Sequence, residues 1–123
     1  MKSCKKIILL SVIALLAASC VKSDVFFDPN LLLGKWVNGT EYYRYDNDST
    51  GVTWDVADNV TEEEAQAFKW EYNPYDKSLT LIHWMEMTQN WTVPRVYTLS
   101  VLNDSNLVYM DKFGKQYSFK RTI

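Results

Sequence analysis

Between Leu31 and Ile123 the sequence repeats one device: a short run of alternating apolar and polar residues, closed by a turn signal and followed by another run. A period of two sends successive side chains to opposite faces of an extended chain, so each run has one face to bury and one to leave wet. Repetition at intervals of about 8–12 residues is the pattern of an all-β sandwich or barrel. Eight runs can be read. The first, Gly34–Val37, ends at Asn38-Gly39, a dipeptide suited to the positive φ angles of a tight hairpin. Glu41–Tyr45 follows, and the turn from Asp46 to Gly51 leads into Val52–Val56, where Val52, Trp54 and Val56 share a face. Ala67–Tyr72 sets Phe68, Trp70 and Tyr72 against Lys69 and Glu71, the signature of a half-buried antiparallel strand.

In the fifth run, Ser78–Trp84, Leu79 and Leu81 fall on one side and Ile82 and Trp84 on the other. Either both faces are covered or a bulge shifts the register. Arg95–Leu102 alternates Tyr97, Leu99 and Val101 with Thr98 and Ser100; Leu107–Asp111 and Gln116–Arg121, with Tyr117 and Phe119 on one side, complete the set. The one helix signal is Thr61–Ala67, where Thr61 and Glu64 have capping-box spacing and Glu62, Glu63 and Glu64 sit at the favourable end of the dipole. It predicts about two turns, with the three carboxylates solvated because consecutive helix positions point apart. The other connections suit antiparallel hairpins, so the runs predict a meander. Pairing the first strand with the last removes both exposed edges, and the fold expected is a small eight-stranded antiparallel up-and-down barrel.

Residues 1–19 read as an export signal: Lys2, Lys5 and Lys6, then an apolar stretch from Ile7 to Ala18, then Ser19. As a helix that stretch rises about 18 Å, short of the roughly 30 Å hydrocarbon core. The ending Leu16-Ala17-Ala18-Ser19-Cys20 resembles the lipobox of bacterial lipoproteins, which implies cleavage before Cys20 and lipid on its thiol. Cys20 would be the one cysteine left, without an intramolecular disulfide partner. Residues 20–30 then form a lipidated tether, and the expected address is the bacterial cell envelope, most simply the outer membrane, with either face open. Without Lys2, Lys5 and Lys6, fifteen acidic residues outnumber the ten remaining Lys and Arg, which argues against nucleic acid as a partner.

Gly34-Lys35-Trp36, at the head of the first strand, resembles the Gly-x-Trp motif of lipocalins and related calycins. The wider pattern from Tyr42 to Tyr109 is similar to that of short lipocalin-like lipoproteins. The resemblance covers residues 31–123 and implies a basic residue of the last strand, Arg121 or Lys120, packed over Trp36 to close the barrel. The disulfide, C-terminal helix and greater length of full lipocalins are missing, so the resemblance leaves the size of any cavity open.

Chemistry is sparse. The chain has one His and carries no phosphate loop, zincin helix, nucleophile elbow or Cys-x-x-Cys pair. No catalytic residue, metal or cofactor is expected. His83 sits among Leu81, Ile82 and Trp84 without an evident nucleophile and reads as a packing residue. Glu41, Asp55, Glu71 and Glu86 could supply a carboxylate pair only through the fold. The Asp46–Gly51 segment begins like a calcium loop but lacks its closing Glu and is better explained as a turn. Ser49 in Asp48-Ser49-Thr50 is a candidate O-glycosylation acceptor. All 18 aromatic residues lie beyond residue 25. Trp54, Phe68, Trp70, Tyr72, Tyr97 and Tyr109 are candidates to line a pocket for a small apolar or aromatic ligand at the barrel mouth, or else to fill the interior. In the filled case the function expected is an envelope interaction module recognising a protein or glycan, with Tyr75 and Trp91 as exposed anchors.

Overall fold

Eight strands close into an antiparallel barrel: β1 (Gly34–Asn38), β2 (Glu41–Tyr45), β3 (Thr50–Asp55), β4 (Gln66–Asn73), β5 (Ser78–Met85), β6 (Arg95–Leu102), β7 (Asn106–Met110) and β8 (Gln116–Thr122). Each strand pairs with its neighbours in sequence, and β8 pairs with β1 through Arg121 opposite Trp36, so the ladder has no free edge. The computed structural model describes residues 26–123 with their side chains. N-terminal to these it describes only the backbone of Cys4–Ile8 and Ser11–Ser19, which pair as a separate two-stranded sheet. Cys20 and the tether up to residue 25 lie outside the described residues.

The turns are fixed by local side-chain chemistry. Between β2 and β3 the Asp48 carboxylate accepts the Thr50 N–H; between β4 and β5 Asp76 accepts from Ser78; between β6 and β7 Asn103 accepts from Ser105; between β7 and β8 Asp111 accepts from Phe113. Each Asx side chain mimics a backbone turn two residues on, which is why the polar clusters of the sequence mark the strand ends. The β2–β3 hairpin is therefore a turn and not a calcium loop: Asp46 pairs with Arg44 at 3.0 Å and Asp48 caps Thr50.

Inside, alternate residues interlock. Trp36, Phe68, Leu79 and Leu107 are wholly buried, joined by Tyr45, Leu81, Leu99, Leu102, Tyr109 and Phe119. A chain of rings crosses the interior from Tyr45 through Phe68 and Tyr43 to Phe119 and Tyr109, with centroids 5.2–5.6 Å apart. Ring pairs at such spacings contribute about 0.5–1.5 kcal/mol each beyond area burial. Gly51 makes room for this packing: a Cβ there would collide with the Arg44 carbonyl and lie 2.5 Å from the Phe68 ring.

One end of the barrel is closed. A 3₁₀ turn, Pro29–Leu32, capped by Asp28, inserts Leu32 under the strands, and Trp36 Nε1 donates to the Leu32 carbonyl at 2.9 Å. The Arg121 guanidinium lies 4.1 Å from the Trp36 ring centre and donates to the carbonyls of Leu31 and Leu33. Gly34, at φ +111°, leaves the space this guanidinium occupies.

Three details differ from the sequence pattern. The helix expected at 61–67 is a single 3₁₀ turn, Glu62–Glu64, with the Thr61–Glu64 box in place; Gln66 already belongs to β4, which leaves no room for a second turn. The bulge lies in β6 and not in β5. Leu99 pairs with Tyr109 and Val101 with Val108, so Ser100 is the extra residue and Leu102, in place of Val101, turns to the core. On β5 the outer face is covered instead: the two-residue strand Asn90–Trp91 folds back on its end, and Trp91 meets Trp84 at 5.1 Å.

Candidate functional site

The other end of the barrel is open and holds a cleft of about 870 Å³. Strand register builds it. On β2 the inward residues are Glu41, Tyr43 and Tyr45; on β3 their partners are Asp55, Thr53 and Gly51. Tyr45 and Gly51 belong to the packed half, so Glu41, Tyr43, Thr53 and Asp55 are left at the open half, where Gln66 of β4 and His83 of β5 join them. The cleft continues over the rim between β3 and β4, where Trp54 and Trp84, from the outer faces, add to its wall.

The β3–β4 connection forms the remaining wall. Asp55 accepts from the Ala57 N–H to start a 3₁₀ turn, Val56–Asp58, which ends at Asn59 in the left-handed region, and the Glu62–Glu64 turn follows. Glu62 pins this segment to the outside of the barrel, accepting from Lys35 Nζ at 2.9 Å and from Arg44 Nη1 at 2.7 Å. The three consecutive glutamates thus separate: Glu62 is ion-paired, Glu63 is exposed, and Glu64 both caps the turn and lines the cleft. The expectation that all three are solvated gives way for Glu62 alone; Glu64 is exposed and caps the turn as its spacing predicts.

Burial and neighbouring charges set the protonation of the cleft floor. The Tyr43 hydroxyl is pushed up to about 12, first by burial and then by the Glu41 carboxylate. His83 packs against Tyr43 and Phe68, and burial, followed by the nearby Arg95 charge, lowers its pKa below the ordinary imidazole value. The imidazole is accordingly neutral at pH 7. The Thr40 hydroxyl, followed by the Ala57 N–H, holds the Asp55 carboxyl below the usual range.

Five of the six aromatic candidates meet, but in the cluster that fills the interior and not around the cleft. Phe68 and Tyr109 are core residues. Trp70 points into the closed half and donates its indole N–H to the carbonyls of Asp46 and Thr50. Tyr72 also belongs there, its hydroxyl enclosed without a hydrogen-bond partner among the described residues. Tyr97 packs on Tyr109 and Tyr117 at 4.7 and 5.7 Å. Only Trp54 lines the cleft, and it does so from outside the barrel, stacked on Tyr42 at 5.1 Å with the rings 5° from parallel. Of the other candidates, Ser49 is exposed at the β2–β3 turn with φ +68°, and Gly34, Trp36 and Arg121 meet at the closed end. Tyr75 is 85% exposed, whereas Trp91 is packed between Trp84 and Lys69, whose Nζ lies 4.2 Å from its ring.

Sequence reasoning missed Tyr43, Thr53, Asp58, Glu64, Gln66 and Trp84 as cleft residues. The available signal was the alternation of β2, which places Glu41 in line with the half-buried Tyr43 and the buried Tyr45 and so identifies the open end. Compared with known proteins, the chain matches no family model, no curated protein and no solved structure.

Proposed function

We propose that the chain is a lipocalin-like lipoprotein, cut before Cys20 and held by lipid on that residue at the bacterial outer membrane. In this reading it binds a small molecule with an apolar or aromatic body in the open-end cleft, without converting it chemically. The observation that carries the reading is the cleft itself: about 870 Å³, with Tyr43, Trp54 and Trp84 in its walls. Its volume falls in the range of small-molecule sites, about 300–1,000 Å³. The meander closed by Arg121 over Trp36 supports the lipocalin-like assignment. Because the interior beneath is filled, the ligand sits in the mouth and not deep in the barrel.

Native mass spectrometry of the protein released with its lipid from the host membrane tests this directly. Acylated Cys20 together with a retained small molecule is the expected mass. Unmodified Cys20 would overturn the anchored reading, and an acylated protein that never carries a ligand would overturn the binding reading. A second reading, docking of an envelope protein, is favoured by the apolar side chains around the mouth: Met87, Val93 and Phe113 are 97%, 80% and 84% exposed. Trp91 is packed and drops out as an anchor, while Tyr75 is exposed as expected but lies in the β4–β5 turn at the opposite end of the barrel.

A further inference from the structure

The charge of the open-end cleft is one-sided. Glu41, Asp55, Asp58, Glu64 and Glu86 all line it, and the lining contains no Lys or Arg. The ion pairs among the described residues, Glu62 with Lys35 and Arg44 and Asp46 with Arg44, involve none of these five carboxylates. Arg95, which enters inward on β6 opposite Leu81, is the cation whose charge reaches Tyr43 and His83. It leaves the mouth with a surplus of carboxylates. The one basic group in the lining, His83, is kept neutral by burial and by that same arginine.

The arrangement also separates kinds of cation. Among the described residues no three His, Cys, Asp or Glu side chains gather as metal ligands do, so the carboxylates ring the cleft without converging on a point. A divalent ion needs several oxygens at one centre. An extended organic cation needs instead a negative field, a volume to occupy and aromatic surface against which its charge and body can rest. The cleft offers all three: dispersed carboxylates, about 870 Å³, and the rings of Tyr43, Trp54 and Trp84.

We propose that the ligand of the cleft is an organic cation, a primary or quaternary amine on an aromatic or aliphatic body. This rests on the reading of the cleft as the binding site and adds the charge of what it takes. The five carboxylates select against fatty acids and other anionic amphiphiles of the same shape, because an anion would enter a field of its own sign without a basic side chain in the lining to meet it.

Three probes with one ring system separate the possibilities: 1-naphthalenemethylamine, 1-naphthalenemethanol and 1-naphthaleneacetate, titrated calorimetrically into the protein at low salt and again at about 0.5 M salt. The amine is expected to bind about tenfold tighter than the alcohol at low salt, with the advantage shrinking as salt rises, and the acetate to bind weakest. Glu41→Gln combined with Glu86→Gln is expected to cut the amine's advantage severalfold, with a melting curve confirming that the variant folds. Equal binding of amine and alcohol, or preference for the acetate, would overturn the cationic ligand while leaving the cleft as a binding site. Binding of none of the three at millimolar concentration would overturn the cleft reading and the charge inference together.

Discussion

Arg121 ties the last strand to the turn that precedes the first, and its replacement measures how much the closed end contributes to stability. The guanidinium donates Nη1 to Leu33, Nη2 to Leu31 at 2.6 Å and Nε to Asp104 at 3.1 Å, and it lies over Trp36 at 4.1 Å. Hydrogen bonds from a charged donor contribute about 1.5–3 kcal/mol each when buried. This group is only partly buried, so about 1 kcal/mol per bond is the better figure, with about 0.5–1 kcal/mol more from the cation–π contact. Arg121→Met keeps the aliphatic stem and loses all of this, so the expected destabilisation is about 3–4 kcal/mol, a large share of a domain's usual 5–15 kcal/mol. Arg121→Lys keeps the charge but reaches one carbonyl at a time, and about 2 kcal/mol is expected. The assay is urea unfolding followed by tryptophan emission, with free energies from linear extrapolation. A Lys variant within about 0.5 kcal/mol of wild type would refute the reasoning, since charge alone would then suffice and the planar fork would contribute nothing.

Three other perturbations probe different parts of the molecule. Gly51→Ala forces a Cβ against the Arg44 carbonyl and the Phe68 ring; a loss of about 2–4 kcal/mol is expected by thermal melting, and a wild-type melting temperature would contradict the packing described. Tyr43 holds its proton to about pH 12 in the folded protein against 10.0 for the free phenol. The stability it contributes is therefore complete below pH 10 and is lost as pH rises from 10 towards 12. Tyrosinate absorbance should show part of the eight tyrosines ionising late or only with unfolding, and a single uniform transition near pH 10 with the fold intact would count against it. Glu62→Gln breaks two ion pairs whose side chains are about one-third exposed. A loss of about 0.5–1 kcal/mol that fades in high salt is expected, and a salt-independent loss would show that the segment is held in some other way.

The barrel was legible because its cause is local. Period-two alternation and Asx turns were written into the chain, and once every neighbouring pair forms a hairpin, closure of β8 on β1 is the only way to remove both edges. The basic partner of Trp36 could be narrowed to Arg121 or Lys120, and the register of β8 on β1 decides it: Arg121 pairs with Trp36 and Lys120 with Val37. Other features depend on how two strands are offset, which no single strand records. The Ser100 bulge is one, since Tyr97, Leu99 and Val101 alternate perfectly until β7 pairs with them. The conflict within β5 pointed to a bulge or a second covered face, and only Trp91, folding back from beyond the strand, shows which. The candidate site was read least well. Aromatic residues on the inward faces suit a ligand pocket or a filled barrel equally in sequence, and Phe68, Trp70, Tyr72, Tyr97 and Tyr109 fill it. The acidic mouth gathers Glu41 from the start of β2, Asp58 from the β3–β4 connection and Glu86 from the β5–β6 connection, a convergence that exists only after the barrel closes.

His83 offers the most direct test of the cleft as the binding site, because it is the sole histidine and lines the cleft above the packed interior. Its imidazole resonances, recorded together with the leucine methyl spectrum while 1-naphthalenemethylamine is added to the protein, report on the mouth and the core in one experiment. Saturable shifts at His83, with Leu79 and Leu107 unmoved, are the expected result. Shifts centred on those buried leucines, or a His83 signal that never moves, would contradict a filled barrel that binds at its mouth.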